Sequence, residues 1–169
     1  MGYTSPEPLA RRHVVNDFDC GEPALDDWLK RRARQAQAAG SSRTFVTTTD
    51  GATVVGYYAL AAAQVEPNEA TTRLLKGEPK SRAVPAVLLA RLAVDQRHQD
   101  GGVGRALLQD AVLRTLQAAD SIGVRALLIH AKSEKARAWY EHYGFEPSPT
   151  DPLHLMLLTK DLRAFVDRL

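Results

Sequence analysis

Hydrophobic spacing changes several times along the 169-residue chain, and each change marks an element. Between Pro23 and Gly40, Leu25, Trp28, Leu29, Ala33 and Ala36 recur at the three-to-four spacing of a helix with one buried side. Pro23 suits the first turn, where its missing N–H costs nothing, and Gly40 suits the end. Lys30, Arg31 and Arg34 fall largely on the opposite side. Upstream, Arg11–Val15 reads as a short strand. Thr44–Thr49 is rich in β-branched residues and reads as another, Asp50-Gly51 is a hairpin turn, and Thr53–Val65 is the returning strand. Glu66–Arg82 is polar, contains Pro67, Gly77 and Pro79, and reads as an insertion with one helical turn.

Val84–Val94 is a nearly continuous apolar run interrupted by Pro85 and Arg91, the pattern of a strand covered on both faces. Asp95–Gly104 is a polar, glycine-rich loop. Leu108, Val112, Leu116 and Ala119 then step by four, four and three, which predicts a helix closed by Gly123. Val124–Ala131 reads as a strand, and Ser133 caps a helix through about His142 that Gly144 closes. Leu153–Leu158 is a last strand and Lys160–Leu169 a short amphipathic helix. Strands alternating with helices predict one α/β domain over residues 1–169, without repeat, low-complexity tract or interdomain linker.

Composition narrows the class. With 44% apolar and 25% charged residues the chain is globular rather than disordered. No stretch approaches the ~20 apolar residues of a membrane span. The start, Met-Gly-Tyr-Thr-Ser-Pro-Glu-Pro, lacks a signal peptide's basic and apolar regions, so a cytoplasmic protein without membrane association is expected. Cys20, the single cysteine, allows no internal disulfide and reads as a small buried side chain. His13, His98, His130, His142 and His154 show no zinc-binding spacing, and no metal is expected.

The net charge of +2 hides an uneven distribution. Trp28–Arg43 carries five basic residues (Lys30, Arg31, Arg32, Arg34, Arg43) and no acid, after six acids in the preceding segment. Arg73–Arg97 carries six (Arg73, Lys76, Lys80, Arg82, Arg91, Arg97) against Glu78 and Asp95. Lys30, Arg31 and Arg34 suit a phosphate-bearing partner or a solvated helix face equally well. Arg91 differs because it interrupts an apolar strand, where a charge is costly unless paired or facing a cleft. A substrate-facing role follows.

The most specific segment is the strand Leu92-Ala93-Val94 followed by Gln99-Asp100-Gly101-Gly102-Val103-Gly104-Arg105 and a helix. Glycines let a backbone approach a ligand closely. Their N–H groups and the helix N-terminus make an anion site suited to a pyrophosphate, to which Arg105 adds a cation. A tight turn alone would also use these glycines. A P-loop would require Gly-Lys-Ser/Thr where Gly104-Arg105-Ala106 stands. A dinucleotide fingerprint would follow the first strand of the domain, and this loop follows several.

With Gln99-x-x-Gly102-x-Gly104 and the later Tyr140-Glu-x-x-Gly144-Phe145, the chain resembles the GNAT family of N-acetyltransferases. The resemblance implies the GNAT acyl-CoA N-acyltransferase fold, a central mixed, mostly antiparallel sheet flanked by helices. It also implies that Gln99, Gly101, Gly102, Val103, Gly104 and Arg105 bind the acetyl-CoA pyrophosphate. The backbone of Leu92, Ala93 and Val94 would pair with the pantetheine arm, and Tyr140 would be the general acid.

Further segments narrow the likeness: Phe18-Asp-Cys-Gly-x-x-x-Leu25-Asp-x-Trp-Leu29-Lys, Ser42-Arg-Thr-Phe45-Val, Val55-Gly-Tyr-Tyr-Ala-Leu60, Leu89-Ala-Arg91-Leu92-Ala-Val94-Asp95 and Ala136-Arg-Ala-Trp-Tyr140. In this order they resemble the GNAT toxins of type II toxin–antitoxin pairs, which acetylate the α-amine of aminoacyl-tRNA. That resemblance implies an aminoacyl-tRNA substrate contacted by Lys30, Arg31, Arg34 and Arg91, and a homodimer. It also implies a small ribbon-helix-helix antitoxin, through which alone the chain would meet DNA.

The chemistry agrees with that acceptor. An amine attacking a thioester must be neutral, and a free α-amine titrates near ~7.7–8.0 against ~10.4 for lysine. Val87–Val94 contains no glutamate to act as base, and Asp95 reads as serving the turn. The leaving thiolate needs a proton, which Tyr140 would supply; Tyr143 reads as packing at the helix end. Two other readings stand beside this one: a GNAT enzyme acting on a small-molecule amine or a protein N-terminus, and a non-catalytic acyl-CoA-binding regulator.

Overall fold

A computed structural model describes residues 2–79 and 81–168. Lys80, counted above in the second basic segment, and Leu169, the expected end of the last helix, lie outside the described residues. In chain order the elements are β1 (Glu7–Pro8), α1 (Pro23–Arg31), α2 (Ala33–Ala39), β2 (Arg43–Thr48), β3 (Val54–Val65), α3 (Thr72–Leu75) and β4 (Val84–Val94). A 3-10 turn (Gln96–His98), α4 (Val103–Ala119), β5 (Ala126–His130), α5 (Glu134–His142), β6 (Glu146–Pro147), β7 (His154–Leu158) and α6 (Thr159–Arg168) follow. Strand order is β1-β2-β3-β4-β5-β7-β6 in one seven-stranded sheet. Pairing is antiparallel for β1–β2, β2–β3, β5–β7 and β6–β7, and parallel for β4–β5. The expected mixed, mostly antiparallel sheet is therefore present.

Several boundaries differ from expectation. Arg11–Val15 is not a strand: the His13 N–H donates to the Ala10 carbonyl at 3.1 Å and the Ala10 N–H to His13 Nδ1 at 2.8 Å. That turn leaves only a Val14–Thr53 bridge, and the edge strand lies upstream as β1. The helix expected over Pro23–Gly40 breaks at Arg32, whose φ of −120° leaves the helical range. The second piece is aimed by its own polar side chains, with Gln37 Nε2 donating to the Leu9 carbonyl at 2.9 Å. Helix α4 stops at Ala119 rather than Gly123, and the two-residue β6 carried no periodicity to read. Pro85 is exposed on β4 while Val84, Ala86, Leu89 and Ala93 are buried, so that strand is only partly covered.

The chain clusters into two compact units, residues 1–61 with 90–111 and residues 62–89 with 112–169. The first has a core of Phe18, Leu25, Leu29, Val46, Tyr57 and Ala93. Tyr57 is fully buried, stacks on Trp28 with ring centroids 6.0 Å apart, and donates its hydroxyl to the Leu25 carbonyl at 2.7 Å. Gly56 faces the start of α4: a Cβ there would stand 3.0 Å from both Val103 and Leu107 side chains. The missing side chain is what seats the first turns of α4 on β3.

In the second unit Val65, Leu74, Val84, Ala126, Leu128 and Met156 form the core of one sheet face. Leu127, Ile129, Leu155 and Leu157, alternating with that set along β5 and β7, are buried as well. The polar Glu66–Arg82 insertion is tied down by Arg125, which donates to the carbonyls of Leu74 and Lys76 at 2.9 Å each and approaches Glu78 at 3.3 Å. Ser133 caps α5 as expected, accepting from the Ala136 N–H at 3.1 Å.

Candidate active site

The glycine loop is held by a polar clamp in the first unit. Asp95, 1% exposed, accepts from the Arg97 N–H (2.9 Å), the Asp19 N–H (3.1 Å) and the Arg97 guanidinium (2.9 and 3.0 Å). The guanidinium, ahead of the backbone N–H donors, draws the carboxyl down to about 2. The Asp95 N–H donates to the Val55 carbonyl at 2.9 Å, so one residue joins β3, the end of β4 and the Asp17–Cys20 segment. This bears out the reading of Asp95 as a turn residue.

Gln99 is exposed, and its amide braces the loop by donating to the carbonyls of Val94 (2.9 Å) and Cys20 (3.2 Å). The Val94 carbonyl thus already has a partner, while Leu92 and Val94 are half-buried and Ala93 buried. Beyond Gln99 the backbone enters the left-handed region at Asp100 (φ 67°) and Gly102 (φ 85°). A Cβ added to Gly102 would meet nothing within 4 Å, and one on Gly101 only ordinary contacts. The helix begins at Val103, two residues before Arg105, and its first bond runs from the Ala106 N–H to the Gly102 carbonyl. Exposed Gly101 and Gly102 therefore lead into the N-terminus of a 17-residue helix, with Arg105 exposed on its first turn. Open glycine backbone ahead of a helix dipole fits an anionic group.

The basic candidates separate. Lys30 and Arg31 are exposed on α1. Arg34 uses its guanidinium on the carbonyls of His13 (2.7 Å) and Ala10 (3.3 Å), which ties α2 to the upstream turn. It nevertheless lines a cleft of about 510 Å³ together with Arg11 and Arg43. Arg11 was missed in the sequence because its place beside the other two depends on the turn at Ala10–His13. Arg91 lies half-buried with its guanidinium 4.3 Å from the centroid of the Trp28 ring, and burial lowers its proton affinity. A cation–π contact satisfies this strand-interrupting charge.

In the second unit Tyr140 is 7% exposed, its ring set edge-on to Trp139 and Phe145 at 5.0 and 5.8 Å. Burial alone raises its phenol far above the usual value, so the hydroxyl keeps its proton. Tyr143 caps the end of α5 and packs on Trp139 and Phe165, as its position predicted. His130 and His154 stack with ring centroids 3.9 Å apart. Their pairing was illegible in the sequence because only the β5–β7 register joins them. Cys20 is partly buried, its thiol pushed up to about 12 by burial first and Asp26 second, which makes it a poor nucleophile. Among the described residues no group of three or more His, Cys, Asp or Glu could hold a metal, and no helix is long and apolar enough to cross a membrane.

In the first unit, a strand ending in a clamped glycine turn with a long helix opening on that turn is an arrangement suited to an anionic ligand. The chain belongs to the GNAT family: the Acetyltransferase (GNAT) domain model matches residues 40–147. It is accordingly an acetyl-CoA-dependent N-acetyltransferase. It is 51% identical over 165 residues to the tRNA-acetylating toxin of Mycobacterium tuberculosis (strain ATCC 25618 / H37Rv), with 98% of each chain covered. It is also similar to AtaT complexed with acetyl-methionyl-tRNAfMet, at 27% identity and a TM-score of 0.87 over 96% of this chain and 98% of that one. A tyrosine-to-phenylalanine mutant of the AtaT toxin, bound to the C-terminus of the antitoxin AtaR and acetyl-CoA, matches at 25% identity and a TM-score of 0.82 over 99% of both chains.

Proposed function

We propose that this chain is the toxin of a type II toxin–antitoxin pair and transfers acetyl from acetyl-CoA to the α-amine of aminoacyl-tRNA in the cytoplasm. The observation that carries the reading is the 51% identity, over nearly all of both chains, to a tRNA-acetylating toxin. In this reading residues 1–169 work as one acetyltransferase domain. The backbone N–H groups of Gly101, Gly102, Val103 and Gly104 hold the pyrophosphate with Arg105, and Gln99 keeps their loop in shape. Leu92–Val94 guides the pantetheine arm. Arg91, Arg34, Lys30 and Arg31 attract the acceptor end of the tRNA, with Arg11 and Arg43 added by the cleft they share with Arg34.

The neutral amine attacks the thioester carbonyl, forming the C–N bond. The C–S bond breaks, the departing thiolate takes the Tyr140 hydroxyl proton, and the proton lost by the amine passes through water to restore that hydroxyl. Acetylation removes the nucleophile that peptide elongation requires, so translation stops. A ribbon-helix-helix antitoxin restrains the toxin, which works as a homodimer and meets DNA only through that partner.

Radiolabelled acetyl-CoA incubated with total aminoacylated tRNA tests the reading. Label is expected on the aminoacyl-tRNA fraction, released as N-acetyl amino acid by mild base. Tyr140→Phe is expected to lower turnover by about 10²–10⁴-fold while leaving acetyl-CoA binding unchanged. Label on small amines or protein N-termini alone, insensitive to Arg34→Ala and Arg91→Ala, would overturn the acceptor; acetyl-CoA binding with no turnover on any amine would identify a regulator.

A further inference from the structure

In the first unit the segment ahead of β1 is fastened to the end of β2. The Thr4 N–H donates to the Thr48 carbonyl at 2.8 Å, and the Thr48 N–H donates to Thr4 Oγ1 at 2.9 Å. Thr47 Oγ1 donates in turn to the Thr4 carbonyl at 2.5 Å. Both backbone groups of Thr4 and its hydroxyl are engaged, so Tyr3, the residue before it, starts from a fixed point.

Tyr3 is 40% exposed, so burial does not account for its ring. It lies outside the cluster of Phe18, Leu29 and Tyr57 that forms the core of this unit. Its side chain reaches instead to the turn that leads into the glycine loop. The Tyr3 hydroxyl is 3.1 Å from His98 Nδ1, and the two rings meet edge-on with centroids 5.7 Å apart. The same hydroxyl would stand 3.5 Å from a Cβ added to Gly101. A side-chain O–H therefore sits beside the exposed glycine backbone that opens onto α4.

A phenol can accept one hydrogen bond while donating another. With the proton on Nδ1, His98 donates to the Tyr3 oxygen, and the phenol O–H is free to donate elsewhere. An anion over the glycine backbone favours this direction, because it then meets the hydrogen and not the lone pairs. His98 is itself held, its N–H donating to the carbonyl of the clamp residue Asp95 at 2.9 Å. Hydrogen bonds to an ionised partner are roughly twice as strong as neutral ones, so one such donor adds usefully to the backbone N–H groups of the loop.

We propose that Tyr3, oriented by His98, binds the pyrophosphate of acetyl-CoA through its hydroxyl. The inference rests on the reading above in which the backbone of residues 101–104 holds that group.

Calorimetric titration of the full chain with CoA tests it, with dephospho-CoA as a second ligand and Gly102→Ala as the control for the loop. Tyr3→Phe keeps the ring against His98 and removes only the hydroxyl. It is expected to raise the Kd for CoA about tenfold, the size of a hydrogen bond to a charged group, with the melting temperature of the unliganded protein unchanged. Dephospho-CoA keeps the pyrophosphate and lacks the 3′-phosphate, and should show the same fold loss. His98→Ala should raise the Kd about threefold and add nothing to Tyr3→Phe, because it acts only through that hydroxyl.

Tyr3→Phe binding both ligands like the wild type, while Gly102→Ala weakens both, would overturn the inference alone. A loss confined to CoA would put the hydroxyl on the 3′-phosphate and overturn the pyrophosphate assignment. A lowered melting temperature in Tyr3→Phe, or additive effects of the two side-chain variants, would make the pair a structural contact only. If Gly102→Ala leaves binding unchanged, the failure lies in the reading of the loop, and the inference falls with it.

Discussion

Replacing Asp95 by asparagine isolates the charge in the clamp that holds the glycine loop. The asparagine oxygen can still accept one backbone N–H, but the pairing with Arg97 loses its ionic part. At about 1.36 kcal/mol per pH unit, holding this carboxyl at about 2 instead of 3.8 is worth about 2 kcal/mol. Arg97 is 66% exposed, and solvent screening trims the figure to about 1–2 kcal/mol. The carboxyl's proton affinity is lowered by folding, so its contribution is fully present above about pH 5. It declines as pH falls through 3.8 and is lost once pH passes about 2. Urea denaturation of wild type and Asp95→Asn at pH 7, 4.5, 3 and 2.5 should show a difference of about 1–2 kcal/mol at neutral pH that shrinks steadily below pH 4. The KM for acetyl-CoA should rise in parallel at pH 7, because the loop loses an anchor. A stability difference that is constant across the series, or absent at pH 7, would refute the electrostatic account of the clamp.

Gly102→Ala forces a φ of 85° on a residue with a Cβ and should raise the KM for acetyl-CoA and cost about 1–2 kcal/mol, whereas Gly101→Ala should be nearly silent in both assays. Equal effects at the two positions would mean that backbone conformation is not what the loop requires. Arg91→Ala should cost about 0.5–2 kcal/mol in a thermal melt through the lost Trp28 contact, and should flatten the salt dependence of tRNA binding by about one ion. An unchanged salt slope would leave Arg91 a purely structural residue. Burial, with a smaller contribution from His154, lowers the proton affinity of His130, so stability should fall as pH drops below the unfolded value of 6.5. His130→Gln should flatten the pH 5–7 stability profile measured by urea denaturation; an unaltered profile would place the titration elsewhere.

Much of the site was legible in order and type. The glycine loop, the Ser133 cap and the tyrosine followed by Gly-Phe are local patterns, and β4 begins and ends where the apolar run does. Arg91 was legible as an anomaly, a charge inside an apolar strand, but its partner Trp28 lies on α1 and could not be read from spacing. Gln99 was legible as a member of the loop motif, yet its amide turns back onto the carbonyls of Val94 and Cys20, contacts that no local pattern encodes.

Hydrophobic period, turn chemistry and glycine placement are properties of a few neighbouring residues, and for that reason the chain alone determined the α/β alternation, the family motifs and the place of Tyr140 on α5. The tertiary structure decided the rest. It broke the first helix at Arg32, gathered Arg11, Arg34 and Arg43 around one cleft, and stacked His130 on His154. Each of these depends on strand register or on a side chain reaching a distant carbonyl, and such contacts exist only once distant parts of the chain have packed together.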